Sequence, residues 1–137
     1  MPRRPKAYVL DSWAIISFLQ AQSGGATIFD VLTSAHEHNI PLLMSVISAS
    51  EVWYIKARRS SPSDADKVIA ELKQVGIEFV DVHWELAHEA ARLKTKNRMS
   101  LADSFAAALA KQRRASLVTG DPEFKEIENE VSIEWLK

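Results

Sequence analysis

Apolar positions along the chain change period in a regular way, and the changes mark out alternating strands and helices. Ala7-Tyr8-Val9-Leu10 is a short apolar run ended by Asp11-Ser12, after which Trp13, Ile15, Ile16 and Leu19 give a helical stripe as far as Gln20. Ser23-Gly24-Gly25 reads as a loop, and Ile28, Val31, Leu32 and Ala35 place a second helix over Ala26 to His38. Pro41 to Val46 reads as the second strand. Ser48-Ala49-Ser50-Glu51 has the spacing of a capping box that would open a helix over Val52 to Arg59. After the Ser60 to Ser63 loop, a helix starting at Pro62 or Ser63 carries Ala65, Val68, Ile69, Leu72 and Val75 and closes at Gly76.

The second half repeats the alternation. Ile77 to Val82 reads as a third strand whose polar Glu78 and Asp81 suit a sheet edge. Trp84 to Lys96 is an amphipathic helix, and Ser100 N-caps an alanine-rich helix that runs through Ala110 to the basic tetrad Lys111-Gln112-Arg113-Arg114. Ala115 to Thr119 reads as a buried strand; Gly120-Asp121-Pro122 ends it and starts another helix at Pro122, and Val131, Ile133 and Trp135 alternate as a last strand. Short buried strands separated by helices predict an α/β fold, a three-layer sandwich in which about five parallel strands are flanked by helices.

Composition adds bounds. A chain of 137 residues reads as one domain over 1–137, able to remove roughly two thirds of its extended surface from water. With 17 Lys and Arg against 18 Asp and Glu there is no global pull toward nucleic acid, so such affinity must come from local patches. The absence of cysteine excludes disulfides and thiolate metal sites and suits a reducing compartment. The basic start, Met1 to Lys6, resembles the first part of a signal peptide. The apolar run behind it is cut by Asp11 and too short to span a bilayer, so the expectation is a cytoplasmic protein without a membrane partner.

The chemistry is in the acids. Asp11, Glu51, Asp103 and Asp121 each fall just after a strand or in the first turn of a helix, and a parallel sheet gathers such places along one edge. Each alone reads first as a cap: Asp11 and Asp121 as N-caps, Glu51 and Asp103 as third residues of Ser-x-x-acid boxes. Four carboxylates gathered together are another matter. At ~4 Å and an effective dielectric near 20, one like-charged pair costs on the order of 4 kcal/mol, more than a capping bond of ~1 kcal/mol returns. A divalent cation resolves the repulsion, and oxygen donors without cysteine or paired histidines point to Mg²⁺ or Mn²⁺.

In order, the segments Tyr8-Val9-Leu10-Asp11-Ser12, Ser48-Ala49-Ser50-Glu51-Val52, Ser100-Leu101-Ala102-Asp103-Ser104-Phe105 and Leu117-Val118-Thr119-Gly120-Asp121-Pro122-Glu123-Phe124 resemble the PIN-domain nucleases. Among these they look like the VapC-type toxins of prokaryotic toxin–antitoxin pairs, over a span from about Tyr8 to Trp135. The resemblance implies a Mg²⁺- or Mn²⁺-dependent endoribonuclease acting on RNA, commonly a homodimer held inactive by a cognate antitoxin. Carried across by position, Asp11, Asp103 and Asp121 would be the core metal carboxylates and Glu51 the fourth acid, with the Ser12 and Thr119 hydroxyls supporting them. Glu123 occupies a place where the family often has a further acid; its own position reads first as an exposed glutamate at a helix start. Arg98, just before Ser100, ranks first among the basic residues for RNA contact, ahead of Arg58-Arg59 and Lys111 to Arg114. Trp13, Trp53 and Tyr54 read as packing residues before stacking ones, and His36, His38, His83 and His88 as surface residues. Two other functions stay open: a receiver-like signalling module, which lacks its paired acids and edge lysine here, and a catalytically silent PIN-type module that binds RNA or protein.

Overall fold

The computed structural model describes residues 4–20 and 24–136, the side chains of 24–27 excepted. Five strands form one sheet: β1 (Tyr8–Leu10), β2 (Leu42–Ser45), β3 (Ile77–Val80), β4 (Ser116–Thr119) and β5 (Ile133–Trp135). All neighbours are parallel and the order is β3-β2-β1-β4-β5. β3 is therefore an edge, as its polar residues predict. Between the strands lie α1 (Ser12–Leu19), α2 (Gly24–His38), α3 (Val46–Arg59), α4 (Pro62–Gln74), α5 (Trp84–Lys96) and α6 (Leu101–Arg113), and a 3-10 helix, Pro122–Ile127, follows β4.

Side-chain alternation along the strands separates two cores. Val9, Leu43 and Leu117 face one layer, built by Leu86, Ala90 and Leu93 of α5 with Phe105 to Ala110 of α6. Tyr8, Leu10, Leu42, Met44 and Val118 face the other, built by Ala14 and Ile15 of α1, Ile28 and Val31 of α2, Val52 of α3 and Val68 of α4. This is the expected three-layer sandwich. α6 is buried without a break from Asp103 to Ala110. A helix enclosed on every side needs narrow residues where its neighbours approach, which accounts for its alanines.

The structure corrects several boundaries. Gly24 and Gly25 lie inside α2; Ser23, assigned to the same loop, and Met1 to Arg3 lie outside the described residues. The helix expected from Pro122 is a single 3-10 segment. The largest correction concerns α3, which begins at Val46 rather than Val52, because Ser45 at the end of β2 is itself the N-cap and accepts from the Ile47 amide at 3.1 Å. No Ser48–Glu51 capping box forms. Ser48 is buried within the helix and Ser50 donates back to the Ile47 carbonyl at 2.7 Å. Glu51 consequently sits in the second turn, not at a helix start.

Candidate active site

β2 and β3 add to one side of β1, and β4 then adds to the other, so β1 and β4 are neighbours. The sheet order reverses between them, the kind of place where α/β proteins open a crevice at the carboxyl ends of their strands. Asp11 follows β1 and Asp121 follows β4. Both are also caps: Asp11 Oδ1 accepts from the Ala14 amide at 2.8 Å, and Asp121 Oδ1 from the Glu123 amide at 3.0 Å. Capping and convergence are thus one arrangement rather than alternatives.

Thr119 ties the two turns together. Its hydroxyl donates to Asp11 Oδ2 at 2.5 Å and accepts from the Asp121 amide at 3.1 Å. Asp11 is 1% exposed, and burial pushes its carboxyl up from 3.8 to about 8. The hydrogen bonds from Thr119 and Ala14 oppose that shift, while the charges of Asp103 and Asp121 add to it. Asp103 comes from the first turn of α6, where its amide donates to the N-cap Ser100 hydroxyl at 3.1 Å. Burial, and then the Asp121 charge, push its carboxyl up to about 7, with lesser contributions from Glu123 and Glu51.

Glu51, placed by the early start of α3, accepts a hydrogen bond from the Ser12 hydroxyl. Ser12, Glu51, Ser100, Asp103, Asp121 and Glu123 line a cleft of about 420 Å³, with Asp11 buried behind it. Among the described residues, no Lys, Arg or His lines this cleft. One carboxylate oxygen each from Asp103, Asp121 and Glu123 lies within 4.8 Å of the others, close enough to share an ion. The group that meets most closely therefore differs from the expected Asp11, Asp103 and Asp121. Glu123 is exposed at its helix start, as its position predicts, yet its carboxylate also joins the cluster. The donor set is oxygen alone, and Asp103 within it resists ionising; a hard divalent cation suits both properties.

Other candidates fall elsewhere. Arg98 is exposed and is not among the residues lining the cleft. Trp53 Nε1 donates to Asp66 of α4 at 2.9 Å, and the exposed Tyr54 ring lies 5.6 Å from the Arg58 guanidinium carbon. All four histidines are exposed; His83 caps α5 through Nδ1, a role its spacing did not suggest. Trp13 is the residue whose position the pattern missed. Half-buried, it lines the cleft, and its six-membered ring rests on Gly120, the residue before Asp121, so closely that a Cβ there would lie 2.2 Å from Cη2. The only advance signal was a glycine beside an acid at a strand end.

A compact acidic cleft at the switch point of a five-stranded parallel sheet defines a class, and the comparisons place the chain in it. The family model for the PIN domain matches residues 8–130; the chain belongs to that family, whose members are nucleases. No curated protein sequence matches it. Among solved structures it resembles VapBC2 from Rickettsia felis bound to a DNA fragment from its promoter, with TM-score 0.75 and 17% identity over 96% of this chain and 99% of that one. DNA-bound VapBC from Salmonella typhimurium gives TM-score 0.72 and 19% identity over 93% and 96%. Mycobacterium tuberculosis VapC20, a sarcin-ricin loop cleaving toxin, gives 0.68 and 14% over 88% and 94%. These likenesses establish the fold.

Proposed function

We propose that the protein is a Mg²⁺- or Mn²⁺-dependent endoribonuclease that hydrolyses RNA phosphodiester bonds, the toxin of a toxin–antitoxin pair, working as a homodimer restrained by a cognate antitoxin protein. The observation that carries this reading is the convergence of Glu51, Asp103, Asp121 and Glu123 on one cleft that no lysine, arginine or histidine neutralises among the described residues, with Asp11 buried behind them. Membership of the PIN family supports nuclease chemistry, and the VapBC complexes and the sarcin-ricin loop cleaving toxin VapC20 among the structural neighbours support the toxin role and the antitoxin partner.

In this reading Asp103, Asp121 and Glu123 hold the ion, and Asp11 sets the charge behind them. When bound, Mg²⁺ or Mn²⁺ supplies a water of lowered pKa and neutralises charge on the phosphate oxygens. Thr119 fixes the Asp11 carboxylate and the Asp121 backbone through one hydroxyl, so the two acids keep their separation as substrate enters. Glu51, oriented by Ser12, is placed to take the proton from the attacking water. Purified protein should cleave RNA with Mg²⁺ or Mn²⁺ and stop when EDTA is added, and its induced expression should arrest growth unless the antitoxin is supplied. Cleavage that survives EDTA would overturn the reading.

A further inference from the structure

Three consecutive residues where β1 gives way to α1 each reach a different part of the cleft. Asp11 accepts from Thr119 at the end of β4, Ser12 donates to Glu51 on α3, and Trp13 lays its ring on Gly120, in the turn that leads to Asp121. The first two contacts are hydrogen bonds between groups the cleft already employs. The third is apolar and has no part in the chemistry so far. Gly76 is the glycine with a positive φ, 97°; Gly120 is not in that region, so what its position requires is room for the ring. A Cβ there would lie 2.2 to 2.8 Å from three atoms of the indole.

Glycine is the most freely turning residue of a chain, and this one stands just before two of the three donors that meet most closely. Asp121 accepts from the Glu123 amide at 3.0 Å, so these two acids move as one unit. Phe124 and Ile127, both fully buried, hold the far end of that unit. At its near end the Thr119 hydroxyl accepts from the Asp121 amide at 3.1 Å, and the indole bears on the residue between them. Asp103, the third donor, sits on α6. A swing at Gly120 would therefore change the gap between Asp103 and the other two. The indole is itself fixed, half-buried and packed against the core that α1 to α4 build on their side of the sheet.

We infer that Trp13 is a positioning residue for the cation: by bearing on Gly120 it sets the distance of Asp121 and Glu123 from Asp103. The inference rests on the nuclease reading of the cleft and gives a role to a side chain that reading leaves idle. Mg²⁺ demands a near-regular octahedron of oxygens, whereas Ca²⁺ accepts irregular sets at longer distances. Loss of the brace should thus be felt most by the smaller ion.

The test is Mn²⁺ binding, read from the electron paramagnetic resonance of the free ion, with Mg²⁺ and Ca²⁺ measured by competition. Trp13→Ala should bind Mn²⁺ about tenfold more weakly, the lower end of what groups supporting metal ligands contribute, and should lose more affinity for Mg²⁺ than for Ca²⁺. Trp13→Phe, which keeps a shorter ring, should recover part of the loss. Leu72→Ala removes packing from the same core on α4, away from the cleft, and should melt lower yet bind Mn²⁺ like the parent. If Trp13→Ala fails to fold, Trp13→Leu and Trp13→Phe carry the comparison. Parental Mn²⁺ affinity in the Trp13 variants, or an equal loss in Leu72→Ala, overturns the inference while the cation reading of the cleft stands. A parent that binds no Mn²⁺ overturns both.

Discussion

The two ends of α6 carry opposite solutions to the same problem. Near its C-terminus, Lys111 and Arg92 of α5 each bridge both Glu89 and Glu130 at 2.8 to 3.0 Å. The hydrogen bond from Arg92, with help from Lys111, holds the Glu89 carboxyl down at about 2. Near its N-terminus, Asp103 shares the cleft with Glu51, Asp121 and Glu123 and with no lysine or arginine among the described lining residues, and it rises to about 7. One cluster is charge-balanced and joins α5, α6 and the segment before β5. The other has no cation among its described lining residues, and its repulsion shows in the raised carboxyls of Asp11 and Asp103. The two sets of carboxylates are distinguished by the company they keep, not by their number.

The comparison can be broken most forcefully at the unbalanced end. Asp103→Asn or Asp121→Asn should lower RNA cleavage by about a hundredfold or more, since even groups that merely orient metal ligands are worth ten- to a hundredfold. Full activity in either variant would remove these acids from the chemistry. Next in size is Gly120→Ala. Its methyl would meet the Trp13 ring at 2.2 Å, so a cost of about 1–3 kcal/mol is expected in chemical denaturation, relieved when Trp13→Ala is combined with it.

A smaller effect should have the unusual sign. Without divalent ions, Asp103→Asn should melt no lower than the parent and a few degrees higher near neutral pH. The sign follows from linkage: a carboxyl raised in the folded state to about 7 contributes fully below its unfolded value near 4, and that contribution is lost as pH climbs toward 7. The gap between variant and parent should therefore widen between pH 4 and 7 and close when Mg²⁺ is added. At the balanced end the dependence reverses. Glu89, lowered to about 2, stabilises above its ordinary value near 4.5 and loses this as pH falls toward 2. Because these side chains are 20% to 37% exposed, Glu89→Gln should cost only about 1 kcal/mol or less, and less still in high salt. Equal responses of the two ends to pH would erase the distinction.

Much of this was legible in the order of residues. Period changes located the strands, and acids at their ends located the edge, because both follow from local rules of burial and capping. Glu51 lines the cleft, but not from a helix start: a serine three residues before a glutamate resembles one, yet Ser45 caps first and the helix begins at Val46. In the sequence Lys111 is only the first residue of a basic tetrad at a helix end, whereas its partners are 22 residues back and 19 ahead, at separations no periodicity encodes. Gly120 read as a turn residue, and only the folded chain reveals that a tryptophan from another element needs its bare Cα. Contacts between distant segments are where local pattern ends.

The hydrogen bond from Thr119 to Asp11 closes a span of 108 residues. During translation the amino-terminal strand emerges long before the segment that supplies Thr119, Asp121 and Glu123, and none of the earlier acids can complete the cluster without them. The acidic cluster is thus assembled all at once, with the final stretch of the fold, rather than growing along the way.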